Sequence, residues 1–379
     1  MLDEAKPTPI AQIQELRVEF QTQDGPVLGV ENVSFDINAG ETVCVVGESG
    51  SGKSVSSLSL MRLVEFGGGK IAGGRLLFER QNDPAVDLAR TDQDVMREIR
   101  GNEIGMIFQE PMTALNPVFT VGRQLTEGLR LHKNMSKSQA EARALELLTQ
   151  VRIPEPARRM KQYPHELSGG MRQRVVIAMA LACSPRLLIA DEPTTALDVT
   201  IQAEILALID RLKRETGTAV MFITHDMAVV AQMADRVVVM FRGNKVEEGS
   251  VEEIFENPQH PYTKALLAAV PKLGEMRGKA YPEPMKLLGT QDKEIVPIKG
   301  TEETLLTVNN LTTRFPVQGG FLRRTVANVH AVEDLSFTIN KGQTLSLVGE
   351  SGCGKSTAGR SILRLVEPQS GEVNLDGKD

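Results

Sequence analysis

One eight-residue loop occurs twice in this chain, as GESGSGKS at Gly47–Ser54 and as GESGCGKS at Gly349–Ser356. The surrounding windows, Val33–Ser54 and Leu335–Ser356, agree at 14 of 22 positions at a constant offset of 302. A period that long lies far outside the roughly 20 to 50 residues of solenoids and propellers, so it marks tandem globular domains of one fold. The 379 residues correspond to about two and a half domains at roughly 150 residues each. The second loop is followed by only 23 residues, so the second copy is expected to be partial.

Short continuous apolar runs at Thr42–Val46, Ile104–Phe108, Leu187–Ala190, Ala219–Ile223 and Val237–Phe241 have the character of strands buried on both faces. Helical patterns lie between them, among them Val55, Leu58, Met61, Val64 and a segment from Ser138 to Val151 with Ser138 and Glu141 spaced as a capping box. Alternating strands and helices predict an α/β fold with a mostly parallel central sheet. Pro271, Pro282, Pro284 and Pro297 punctuate a polar stretch without periodicity, read as a linker over 271–303 between a first domain at 10–270 and an incomplete second at 304–379.

Composition narrows the partners. Lys and Arg number 43 against 49 Asp and Glu, leaving no excess positive charge for a phosphate backbone, and nucleic acid is not expected. Three distant cysteines, Cys44, Cys183 and Cys353, fit a reducing compartment without structural zinc. No signal-like amino end and no run of ~18 apolar residues is present, which points to a cytoplasmic protein that does not enter a membrane unaided.

The loop Gly47, Glu48, Ser49, Gly50, Ser51, Gly52, Lys53, Ser54 is a P-loop placed between strand and helix. Its amides turn toward one anion, Lys53 reaches the β and γ phosphates, and Ser54 can bind Mg²⁺. Gly349, Gly352, Gly354, Lys355 and Ser356 repeat these positions. LLIADEP ends an apolar strand in two acids: Asp191 emerges at the sheet's carboxyl edge, where it can hold Mg²⁺ through water, and Glu192 suits a general base for an attacking water. In LSGGMRQR, Ser168, Gly169 and Gly170 open a helix as a second anion cradle, which is intelligible if it serves a nucleotide held by a facing domain.

These motifs together resemble the nucleotide-binding domain of ABC transporters, over Ile10–Pro271 with no motif missing and over Leu305–Asp379 as the opening of a second domain. The resemblance implies an antiparallel β subdomain and an α-helical signature subdomain beside the central sheet, with ATP and Mg²⁺ as ligands. It further implies Gln109 at the γ-phosphate and metal, Asp198 at the domain interface and His225 against the γ-phosphate. An aromatic stacks on adenine, with Phe20 and Phe315 as candidates, although Phe20 fits an apolar core position as readily. FQEPMTALNP, YPHELSGG and NPQHPYTKALLAAVP resemble ATPase subunits of the oligopeptide, dipeptide and nickel importers, here with two P-loop domains in one chain. Some relatives hold an iron–sulfur cluster near the domain's end; none of the three cysteines lies there, and no cluster is expected.

The resemblance therefore implies an ATP-hydrolysing motor for peptide import, glutathione included, peripheral on the cytoplasmic membrane face. Its partners would be two membrane permease subunits and an extracytoplasmic solute-binding protein. The incomplete second copy is read as a truncated or broken product in which two first domains could pair as a homodimer. A tandem ABC factor acting on ribosomes would carry a charged helical linker, a repair ATPase zinc cysteines and a basic surface, and a P-loop kinase would have no use for LSGGMRQR.

Overall fold

A computed structural model describes residues 9–110, 114–194, 197–271, 274–275, 277–278, 301–319, 324–350 and 352–378. They divide into two compact units, one made of most of the chain up to Glu275 and one of the later residues. Most of the expected linker, 271–303, lies outside the described residues.

In the first unit, β1 (Pro9–Thr22) and β2 (Gly25–Asn38) form a hairpin, β3 (Thr42–Val46) runs into the glycine loop, and α1 (Lys53–Leu60) leaves it. β4 (Gly69–Phe78) and β5 (Val86–Asp87) complete an antiparallel sheet of order β2-β1-β4-β5, and α2 (Gln93–Ile99) leads to β6 (Ile104–Ile107). Next come the helices α3 (Val121–Lys133), α4 (Lys137–Gln150), α5 (Pro156–Arg159) and α6 (Gly169–Leu181). β7 (Leu187–Asp191), α7 (Val199–Thr216), β8 (Ala219–Ile223), α8 (Met227–Met233), β9 (Arg236–Phe241) and β10 (Asn244–Ser250) follow, then α9 (Val251–Glu256) and α10 (Pro261–Ala268).

The central sheet has the order β10-β9-β3-β8-β7-β6 and is parallel except for β9 with β10. Its strands divide their side chains between two cores by the period of two. Val43, Val45, Leu187, Ile189, Met221 and Met240 pack toward the antiparallel sheet, whereas Cys44, Val46, Leu188, Ala190, Phe222 and Val239 pack toward the helices. Each large side chain so buried contributes on the order of 2 kcal/mol, which is why these strands read as unbroken apolar runs.

Local signals were displaced in three places. The capping box of α4 is Ser136 with Gln139, not Ser138 with Glu141: Ser136 Oγ accepts from the Gln139 N–H while Gln139 Oε1 accepts from the Ser136 N–H at 2.9 Å. Both pairs satisfy the spacing, and the earlier one lets Lys137 join the helix. α1 stops at Leu60, because Arg62 takes a left-handed φ of 47° and Val64 falls in a separate 3₁₀ turn. Strand β6 ends at Ile107, leaving Phe108 exposed, and β7 extends one residue to take in Asp191.

The second unit contains β11 (Thr304–Gly319), β12 (Arg324–Asn340), α11 (Lys355–Ile362) and β13 (Ser370–Leu375), the strands forming an antiparallel sheet of order β12-β11-β13. Its core is small, with Val308, Leu311, Val332 and Ala358 buried and Thr313 bonded to Ser361 at 2.8 Å. The segment Thr344–Val348, the counterpart of β3, forms no strand, and Val348 is 89% exposed where Val46 is 0%. Parallel partners, β8 and β9, hold β3 in place, whereas Thr344–Val348 pairs with no strand among the described residues. No helix among the described residues is long and apolar enough to cross a membrane.

Candidate nucleotide site

The first glycine loop closes at the carboxyl end of β3. Gly47 takes φ 148°, and a Cβ there would lie 2.1 Å from the Met240 carbonyl oxygen, so no other residue fits the turn. Gly52, at φ 97°, stands at the N-cap of α1, whose first turn presents the free N–H groups of a helix start. Lys53, only 6% exposed, reaches back so that its Nζ donates to the Gly47 and Glu48 carbonyls at 2.8 Å each. Burial pulls this ammonium below the ordinary lysine range, while Glu192, Asp191 and Glu48 act in the opposite sense.

Two neighbouring acids arrive from β7, 137 positions further along the chain. Ser54 Oγ donates to Asp191 Oδ1 at 3.1 Å. Asp191 is 4% exposed, and burial pushes its carboxyl up to about 6 despite the Ser54 hydrogen bond. A buried carboxylate beside a hydroxyl is a hard-oxygen pair that suits Mg²⁺, and the cation would restore the charge stabilisation that burial removes.

Glu192 leaves the strand in the left-handed region, φ 45°, with its N–H donating to the Ile223 carbonyl at the end of β8. That conformation, rare for a residue with a side chain, aims the carboxylate across the sheet edge. Its Oε2 accepts from Gln109 Nε2 at 3.1 Å, and its Oε1 lies 3.1 Å from His225 Nδ1. Three segments separated by 83 and 33 positions thus converge on one carboxylate, because β6, β7 and β8 are adjacent and parallel and release their carboxyl ends on the same edge.

Ser168 caps α6, its Oγ accepting from the Met171 N–H at 3.4 Å, and Ser168 and Gly169 face solvent. One linking residue was not foreseen. Gln173 of α6, 1% exposed, donates to the Pro193 carbonyl at 2.5 Å and so ties this helix to the residue after Glu192. A glutamine among the apolar residues that follow it in α6 was the available sign. Phe20 is half-buried over Gly29 and Gly69, where added Cβ atoms would fall 2.7 and 2.8 Å from its ring, and one side of it packs on the antiparallel core; Phe315 is exposed. Asp198 directly precedes α7.

In the second unit, Gly349, Gly352 and Gly354 take φ 155°, 81° and 96°, close to 148°, 79° and 97° at Gly47, Gly50 and Gly52. Lys355 Nζ donates to the Gly349 and Glu350 carbonyls at 2.6 Å each, and Ser356 is exposed in the first turn of α11.

A P-loop, a paired hydroxyl and acid, and a carboxylate held by a glutamine and a histidine define a phosphate-binding cassette of the α/β class. The model of the ABC transporter family matches residues 30–195 and 332–379, more than half of the chain, and the protein belongs to that family. A second model, the C-terminal region of oligopeptide/dipeptide transporters, matches residues 246–293. The chain is 55% identical over 375 residues to a glutathione import ATP-binding protein of Pectobacterium atrosepticum and 52% identical over 382 residues to one of Escherichia coli K12. These alignments cover 97% and 99% of this chain but 60% and 61% of those proteins, so the chain spans about three fifths of the relatives' length. Among solved structures it is similar to the dimeric bacterial ABC transporter cassette MJ0796, at 30% identity and a TM-score of 0.57, covering 64% of this chain and 98% of that one.

Proposed function

We propose that the protein binds and hydrolyses ATP as the motor subunit of an ABC importer for peptides, glutathione or other small peptides, acting on a separate membrane permease. The observation that carries the reading is the convergence of Gln109 and His225 on Glu192 beside the Lys53–Ser54–Asp191 cluster. Lys53 and the loop amides bind the phosphates. Ser54, Asp191 and Gln109 are the residues that would hold Mg²⁺, which supplies charge neutralisation on the phosphate oxygens. Glu192 orients a water and takes its proton, with His225 and Gln109 fixing the carboxylate from either side.

Ser168 and Gly169 are exposed and Gly170 is partly buried beside them, where a facing domain could bring its own nucleotide, and Asp198 is proposed to lie in that interface. A neighbour solved as a dimer bound to ADP and phosphate, 29% identical, supports such a closure. Phe20 is retained as the adenine-side candidate in the first domain, and Gly349, Gly352, Gly354, Lys355 and Ser356 as phosphate ligands in the second. The match over 246–293 and the likeness to glutathione import proteins favour import over a translation or repair role. Partners would be two permease subunits and a solute-binding protein at the cytoplasmic membrane face.

The test is Glu192→Gln, which keeps both hydrogen bonds possible and removes only the base. Phosphate release should fall by roughly 10²- to 10⁴-fold with ATP affinity maintained. Turnover within threefold of the parent would exclude Glu192 as the base, and stimulation of turnover by a permease and a glutathione-loaded binding protein would test the solute.

A further inference from the structure

The tail segment 257–263, NPQHPYT, lies outside the cluster described above, yet it reaches the P-loop. Its placement begins at Glu247 on β10, whose carboxylate oxygens accept from the Gln259 and His260 N–H groups at 2.6 and 3.0 Å. Partial burial opposes ionisation of Glu247, but these N–H bonds outweigh it and hold the carboxyl below its usual range. His260 then caps α10, its Nδ1 accepting from the Tyr262 N–H at 3.2 Å, and Pro261 occupies the first helical position, where no N–H is needed. The result is a Tyr262 side chain only 2% exposed, its ring 4.3 Å from that of Phe241 at the end of β9.

Tyr262 Oη accepts from the Glu48 N–H at 2.8 Å, across 214 positions. That N–H belongs to the same peptide unit as the Gly47 carbonyl, which accepts from Lys53 Nζ. In a trans peptide the two groups point in opposite directions, so fixing the N–H on one side fixes the carbonyl that faces Lys53 on the other. The next carbonyl, of Glu48, accepts from both Lys53 Nζ and the Ser51 N–H, at 2.8 and 3.2 Å. One phenol therefore restrains the stretch of loop against which the phosphate-reaching lysine is placed.

We infer that Tyr262 is a positioning residue for nucleotide binding, acting through the Gly47–Glu48 peptide on Lys53, and that the tail segment restrains this stretch of the P-loop. The inference rests on the nucleotide reading above. The second copy bounds its size: Lys355 makes the same two bonds to Gly349 and Glu350, so the lysine closure is local and Tyr262 refines it.

The experiment compares ATP affinity and thermal midpoint in the full chain for the parent, Tyr262→Phe, His260→Ala and His260→Asn. Tyr262→Phe keeps the ring on Phe241 and removes one hydrogen bond, so the ATP Kd should rise about 3- to 10-fold. The midpoint should stay within a few degrees. His260→Ala, which releases the cap behind Tyr262, should weaken ATP in the same direction, and His260→Asn, which can cap, should restore it. Unchanged affinity in Tyr262→Phe, or affinity in His260→Ala equal to the parent, overturns the inference while leaving the nucleotide reading intact. A parent chain that binds no ATP overturns that reading, and this one with it.

Discussion

Asp191→Asn should make the protein more stable while abolishing its proposed work. The carboxyl is 4% exposed and is raised from 3.8 to about 6. A difference of about two pH units is worth roughly 3 kcal/mol at 1.36 kcal/mol per unit. The sign is the reverse of the usual surface carboxylate. Above pH 6 both folded and unfolded chains carry the charge, and the folded state bears the whole cost of holding it dry. Between 6 and 3.8 the folded state takes up a proton that the unfolded chain does not, and the cost shrinks. Below 3.8 both are protonated and none remains. The amide oxygen of Asn can still accept from Ser54, so the substitution removes the charge and little else. Urea unfolding of parent and variant, followed by circular dichroism in the presence of a chelator, should show Asp191→Asn ahead by up to ~3 kcal/mol at pH 8 and level near pH 4, with MgATP hydrolysis lost. A variant no more stable than the parent at pH 8, or a gap that does not close with acid, would refute the assignment of Asp191 as a carboxylate held against its desolvation.

Two further outcomes are expected. Gly105→Ala on β6 would place a Cβ 2.2 Å from the Ala180 carbonyl oxygen of α6, a main-chain atom that cannot step aside, so a loss of about 2 kcal/mol or more should appear in the urea midpoint. Hydrogen–deuterium exchange should find the amides of Val43–Val46 strongly protected and those of Leu345–Val348 close to free exchange; equal protection of the two stretches would contradict the difference in their pairing.

What the amino-acid order made legible was whatever is written within a few residues. The P-loop, the acid pair at 191–192, the Ser168 cap and the five apolar strands stand close to their expected positions because each depends on local spacing or on an apolar run. The misplaced capping box shows the limit of such signals: Ser136 with Gln139 and Ser138 with Glu141 carry the same spacing, and only the start of α4 chooses between them. The bonds of Gln173 to Pro193 and Tyr262 to Glu48 were invisible for a different reason. They span 20 and 214 positions, and neither polar side chain sits in a pattern that names its partner. Phe20 was legible as an aromatic near the loop, but the room made for it by Gly29 and Gly69 exists only once β1, β2 and β4 are paired.

The two copies separate what a P-loop owes to itself from what it owes to the sheet. Three glycine φ angles agree within a few degrees between Gly47–Gly52 and Gly349–Gly354, and both lysines turn back on the same two carbonyls. The strand before the loop does not share this independence: Thr42–Val46 is buried between β8 and β9, whereas Thr344–Val348 is unpaired and exposed. A buried parallel strand has its conformation chosen by its neighbours, while a glycine turn followed by a helix start closes through its own hydrogen bonds. The groups that would distinguish hydrolysis from mere phosphate capture, Asp191, Glu192, His225 and the restraining Tyr262, all reach the loop by way of that sheet or the segments after it. Loop closure is therefore the part that a glycine loop carries by itself, and the proposed turnover is the part that would need β6, β7 and β8 side by side.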